Sequence, residues 1–162
     1  MNKSLYILFF LLLPSCHLEI KNEENPKKEL SIISLSPSTT EILKNLNMDQ
    51  YLIATDKFSK TEENILKVGG LLDPNYELIT EINPTHIVGL KSHSRLKEKL
   101  NFLNSKWILN STENLEDYFY ILDLLGKEFE REEMAEKTIY KTKKLIESLR
   151  EMTSVKNGCD LK

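Results

Sequence analysis

The sequence predicts an α/β fold, a single Rossmann-like lobe with a short, mainly parallel sheet flanked by helices and a long C-terminal connecting helix. Three observations predict it. Apolar runs at 31–35, 51–55, 86–90 and 107–109 have the length of strands. Between most of them lie stretches with apolar residues three and four apart, opened by Ser, Thr or Asn and closed by Gly or Pro chemistry. Strand and helix alternate with short connections, which is the pattern of parallel βαβ units.

The N-terminus reads as an export signal over 1–15. Lys3 supplies a positive n-region, and 5–13 is an unbroken apolar run, shorter than the roughly 20 residues a bilayer span needs. Leu13-Pro14-Ser15-Cys16 follows and resembles a bacterial lipobox, with Pro14 where a small residue is usual. Cys16 is then the expected lipidation site. The alternative is an ordinary signal peptide with an incidental cysteine. Segment 16–29, rich in Glu, Lys and Asn, lacks the apolar content of a core and reads as a flexible tether. The folded lobe is expected over 30–126, a long helix over 127–152, and a tail over 153–162.

Within the lobe, 31–35 forms the first strand. Ser38 or Thr39 is expected to cap the helix that follows, reaching about Leu46, with Glu41 completing a capping box with Ser38. The second strand is 51–55, and 56–67 is a polar rim segment. Gly69-Gly70 and Asp73-Pro74-Asn75 are turn chemistry. A short helix then carries Leu78, Ile79 and Ile82, and Asn83-Pro84 stops it, because a residue before proline avoids the helical region. Strand 86–90 precedes a helix over 94–103 with Leu96, Leu100 and Leu103 inward, and 107–109 is the fourth strand. Asn114 caps a helix with Leu115, Phe119, Leu122 and Leu125 inward, ending at Gly126 as a C-cap. The last helix, beginning near Phe129, carries Ala135, Ile139, Thr142, Ile146, Leu149 and Met152 at helical spacing, with Leu145 alongside. A coiled-coil pairing of that stripe is a weaker reading, because Thr142 interrupts a short seam.

The formal charge is −3, and loss of Lys3 with the signal makes it −4 (−3 − 1). A mildly acidic chain lacks the basic face nucleic acid requires, so no nucleic-acid partner is expected. With Cys16 acylated, Cys159 has no intrachain partner, so no disulfide framework is expected.

Three segments together resemble a known family. Ser34-Leu35-Ser36-Pro37-Ser38-Thr39-Thr40-Glu41-Ile42-Leu43, Val68-Gly69-Gly70-Leu71-Leu72-Asp73-Pro74-Asn75 and Ile82-Asn83-Pro84-Thr85-His86-Ile87-Val88-Gly89 resemble, in order and spacing, the N-terminal lobe of class III periplasmic substrate-binding proteins. These serve ABC importers of the cobalamin and iron–siderophore type. The resemblance covers about 30–152. It implies two lobes joined by one long helix, with ligand gripped between them, and 127–152 stands where that interlobe helix belongs. The second lobe is expected beyond Lys162, so the chain reads as truncated before it. The implied function is the substrate-binding lipoprotein of an importer for a metal chelate (iron–siderophore, haem or cobalamin), inactive if the second lobe is lost. The alternative is a single-lobe surface lipoprotein with an interaction role. The implied partners are ABC permease subunits, a small-molecule metal chelate and, through a lipid anchor, a bacterial membrane on its extracytoplasmic side.

The resemblance also implies roles for individual residues. The loop after the first strand, Ser36-Pro37-Ser38, faces the cleft, where hydroxyls and helix N-terminal N–H groups meet ligand acceptors; Ser38 reads equally as a helix cap. The loop after the second strand brings Lys57 and Phe58, whose ring stacks on a flat ligand or anchors the loop. The loop after the third strand begins at Leu90, where cobalamin binders can carry Trp. Here Leu90, Lys91, His93 and Arg95 give basic and imidazole character, which suits an anionic chelate, or else form a solvated loop. Glu77 is the implied permease-docking carboxylate; its plain reading is a helix N-terminal acid stabilised by the macrodipole.

No catalytic residues are expected. Ser36 and Ser38 lack a Gly-x-Ser-x-Gly elbow and no His stands at motif spacing from them. A metal site built on His86 and His93 is disfavoured, because neither His-x-His nor Glu-x-x-His spacing occurs and His86 sits in an apolar strand. No cofactor is expected.

Overall fold

The computed structural model describes residues 28–159. The signal 1–15, Cys16 and all but the end of the tether lie outside the described residues. The chain forms five strands and five helices there. They are β1 (Ile32–Ser34), α1 (Pro37–Asn45), β2 (Leu52–Thr55), β3 (Leu66–Lys67), α2 (Tyr76–Ile82), β4 (His86–Leu90), α3 (Ser94–Lys99), β5 (Lys106–Asn110), α4 (Leu115–Glu128) and α5 (Glu132–Cys159). The sheet order is β3-β2-β1-β4-β5 and every pairing is parallel. This is the α/β architecture the sequence predicts, with one strand more than expected. Leu66–Lys67 escapes detection because two exposed residues carry no periodicity.

Both faces of the sheet are covered at its centre, so β1, β2, β4 and β5 are largely apolar. On one face Ile32, Leu52, Val88 and Ile108 pack against Ile42, Leu43 and Leu46 of α1, Ile121, Leu122 and Leu125 of α4, and Ala135 of α5. On the other, Ile33, Ala54 and Ile87 pack against Ile79 of α2 and Leu96 of α3.

Two helix boundaries here differ from expectation, the start of α1 and the end of α3, while those at Asn75, Asn83 and Asn114 agree with it. Ser36, not Ser38 or Thr39, caps α1: its hydroxyl accepts the Thr39 N–H, and Pro37 takes the first helical position, where its fixed φ fits and no N–H is needed. Glu41 therefore makes no capping box and instead pairs with Lys44 at 3.1 Å. Asn75 and Asn114 cap α2 and α4 through their side chains. Asn83 ends α2 in the left-handed conformation (φ 44°), which Asn tolerates better than most residues. Helix α3 stops at Lys99, four residues short of Leu103.

Gly126 is not a C-cap. It lies inside α4, where a Cβ would stand 2.7 Å from the Cβ of Ala135, so the glycine permits close approach of α4 and α5. Helix α5 starts at Glu132 and runs through most of the segment expected as a tail. The Lys143 ammonium stands 5.2 Å from the Phe119 ring centre, which fixes the two helices as antiparallel. That register places the start of α4 opposite residues near 146. At 1.5 Å per residue, α5 extends roughly 20 Å past it, on the side of the strands' C-terminal ends. Leu145, Leu149 and Met152 are exposed along it.

Candidate functional site: the rim at the C-terminal ends of the strands

Strand order reverses between β1 and β4, and the loops leaving them turn to opposite faces of the sheet, α1 on one and α3 on the other, which opens a crevice at this switch point. Beneath the rim lies a buried hydroxyl network. Thr40 Oγ1 donates to Ser34 Oγ at 2.8 Å and lies 2.8 Å from Ser59 Oγ. Thr39 Oγ1 is 2.7 Å from Ser34 Oγ and 2.9 Å from Ser36 Oγ. Ser59 donates in turn to Asp56, a buried carboxylate that also accepts the N–H groups of Phe58 (2.8 Å) and Ser59 (3.2 Å). The loops after β1 and β2 are thereby locked together from below. Thr40 and Ser59 were not anticipated, nor was the buried bracing role of Thr39 and Asp56; Asp-x-x-Ser after a strand was the available signal, since Asp readily accepts N–H groups two and three residues on.

Above this network, short polar groups face outward. Ser38 is half-buried, with its hydroxyl 3.1 Å from Ser36 Oγ and 3.3 Å from Thr112 Oγ1 in the loop after β5. Pro37 is exposed beside it. Phe58 is 64% exposed, so its ring is open to solvent. Lys57 lies 5.2 Å from the Phe58 ring centre and pairs with Asp73 at 3.1 Å. Its N–H donates to Gly69 O at 2.7 Å. Gly69 has φ 94°, and a Cβ there would come within 2.4 Å of Asp73 O, so this turn requires glycine. Lys57 thus holds two loops together rather than standing free.

Leu90 is half-buried and Lys91 exposed at the end of β4. His93 departs from expectation. It is 3% exposed, and its Nδ1 accepts the Leu90 N–H at 3.0 Å. Burial, the largest influence, lowers its pKa below the ordinary imidazole value, against the upward pulls of the Leu90 backbone and of Asp56. The Leu90 N–H meets the ring at Nδ1, so that nitrogen bears a lone pair rather than a proton. His93 therefore adds no positive charge to the rim; that character falls to Lys91 and Arg95, both exposed. Glu77 is exposed in the first turn of α2, on the same rim.

His86 sits at the opposite end of β4 from His93. Its ring lies 2.9 Å from Thr85 Oγ1, 3.2 Å from Glu128 Oε1, and edge-on to Phe129 at 5.1 Å between centres. The two imidazoles are thus kept apart. Among the described residues no three His, Cys, Asp or Glu side chains cluster as metal ligands. A broad groove of about 1010 Å³ runs along the outer side of β3, lined by Lys44, Lys60, Ile65 and Leu66 among others; it includes no residue of the loops after β1 or β4. The rim itself is one open wall.

Solved structures share this fold. The periplasmic haem-binding protein HutB of Vibrio cholerae is 21% identical, with TM-score 0.69 over 75% of this chain and 49% of that one. S. aureus IsdE, solved with haem, is 18% identical, with TM-score 0.66 over 78% and 50%. The petrobactin-binding protein YclQ of Bacillus subtilis is 14% identical, with TM-score 0.70 over 78% and 48%. The fold is that of one lobe of a class III periplasmic substrate-binding protein. At these identities the likeness establishes the fold alone. The chain spans about half the length of the structures it matches. No protein-family model matches it, and neither does any curated protein. No helix among the described residues is long and apolar enough to cross a membrane.

Proposed function

We infer that this chain supplies one wall of the ligand cleft in the substrate-binding component of an ABC importer for a metal chelate, with iron–siderophore and haem ahead of cobalamin. It binds and does not catalyse. What supports this reading is that the loops leaving β1, β2 and β4, all at the same end of a parallel sheet, carry Ser38, Phe58, Leu90 and Lys91. A flat or anionic chelate can meet an uncovered ring, short hydroxyls and a free ammonium there. Two of the solved neighbours are named for haem and one for petrobactin, which supports the ligand class.

The extension of α5 past the rim, with Leu145, Leu149 and Met152 uncovered, supports a second body facing this wall. The chain is proposed to act outside the cytoplasm, held to a bacterial membrane through acylated Cys16, and to deliver its ligand to ABC permease subunits. Palmitate labelling of wild type but not of Cys16→Ala tests the anchor.

The ligand role is tested by titrating the chain with haem and with a ferric hydroxamate, followed by amide chemical shifts. One wall leaves much of a ligand in water, whereas good sites bury about 70–90% of it, so weak but saturable binding is expected. Shifts should centre on 36–38, 57–58 and 90–91, and Phe58→Ala and Lys91→Ala should each weaken binding. Shifts scattered over the surface, or affinity indifferent to both substitutions, would overturn the reading.

A further inference from the structure

We propose that neutral His93 is the positioning residue of the cleft loop after β4, and that protonation of its Nδ1 frees the Leu90 N–H and loosens Leu90–Lys91. Its relevance to ligand rests on the importer reading; the arrangement itself does not.

The geometry leaves the ring little choice. Nδ1 accepts the Leu90 N–H, so it bears a lone pair, and the neutral ring must carry its proton on Nε2. Nε2 is buried and has no hydrogen-bond partner. Gly89 makes the close approach possible: a Cβ there would stand 2.8 Å from His93 Nδ1 and 3.2 Å from Leu35 Cβ. The ring therefore fills the seam between the ends of β1 and β4, directly behind the residues that face the cleft. A proton on Nδ1 turns an acceptor into a donor against an N–H, which breaks that contact and puts a charge in a buried site. Asp56, across the seam, is the charged group that acts on the ring; Lys91 and Arg95, on its own segment, are exposed. Burial outweighs Asp56 and keeps the ring neutral through the ordinary imidazole range, so loosening is confined to more acidic pH.

The test uses the full chain and two variants. Asn places its side-chain oxygen near the position of Nδ1 and does not titrate, so His93→Asn should keep the Leu90 bond at every pH. His93→Leu should lose it at every pH. Imidazole ¹⁵N shifts read the tautomer, and exchange of the Leu90 amide reads the bond. The Nε2–H tautomer is expected in wild type. Leu90 protection should fall about tenfold through the acidic titration of His93, the scale of one lost hydrogen bond. In His93→Asn, protection should follow only the intrinsic pH dependence of exchange. An Nδ1–H tautomer, or the same Leu90 profile in wild type and His93→Asn, would overturn the proposal. Both readouts stand if His93→Leu fails to fold. Neither needs a ligand, so failure of haem or siderophore binding would sink the importer reading and leave this one standing.

Discussion

Gly126 of α4 and Ala135 of α5 meet so closely that a methyl group on the glycine would stand 2.7 Å from the alanine Cβ. Arg131 N–H donates to Gly126 O at 2.7 Å in the same hairpin, so the crossing is held on both sides. This pair sets the path along which α5 passes the cleft rim.

Gly126→Ala should therefore destabilise the fold despite improving helix propensity. Overpacking costs about 1–3 kcal/mol, and replacing a helical Gly returns about 1 kcal/mol. A net loss of up to about 2 kcal/mol is expected in urea unfolding. Adding Ala135→Gly makes room for the new methyl, so the double variant should be more stable than the two single losses predict. Strict additivity would show that the pair does not set the crossing.

Thr40→Val should cost about 1–3 kcal/mol, because Ser34 Oγ and Ser59 Oγ each lose a buried partner at 2.8 Å. Ser59 also bonds Asp56, so the loop carrying Phe58 should loosen first. Amide exchange should rise at Phe58 and Ser59 before it rises in α4. Uniform acceleration over the whole chain would mean that the network contributes only bulk stability.

The sheet was legible in the sequence because parallel strands buried on both faces read as apolar runs, and Ile32, Ile33, Ile87, Val88 and Ile108 are such residues. Helix starts were legible where an Asn side chain stood alone before an apolar stripe, as at Asn114. They were ambiguous at Ser36-Pro37-Ser38-Thr39, where three hydroxyls compete and only the proline decides. Gly126 looked like a helix end because contact with Ala135 is a tertiary fact invisible to local pattern. At the site, the surface positions of Phe58 and Lys91, and the half-buried one of Ser38, followed from loop placement. The burial of His93 did not, since an imidazole after a strand reads as rim until the facing Gly89 and Leu35 are known.

Glu128 should govern part of the acid sensitivity. Burial alone would raise its pKa, but hydrogen bonds from Lys106 (2.5 Å) and His86 (3.2 Å) outweigh it and hold the carboxyl below its ordinary value of 4.5. A carboxyl depressed on folding adds stability that is complete above that ordinary value and is lost as pH falls through the lower folded one. Glu128→Gln should cost about 1 kcal/mol at neutral pH, since Lys106 is mostly exposed and screened. The gap between the two melting curves should close below pH 4.5. A gap that persists unchanged into acid would assign the effect to packing.

Glu77 carries the last prediction. It stands exposed in the first turn of α2, beside the Asn75 cap and on the rim that also carries Phe58 and Lys91. Among the described residues it has no ion-pair partner, whereas Asp73 nearby is engaged by Lys57. Its contribution to the helix is the macrodipole effect of an exposed acid, about 0.3–1 kcal/mol, and α2 has only seven residues to benefit. If the proposed permease contact exists, a carboxylate so placed is free to accept a bidentate arginine from the membrane subunits. Loss of such a pair costs about 2–5 kcal/mol when buried and less at a wet rim. Glu77→Ala should then weaken binding to the reconstituted permease at least tenfold while the circular-dichroism melt barely moves. A lowered melt with binding spared would make Glu77 a helix-end stabiliser alone, and the docking role would fall.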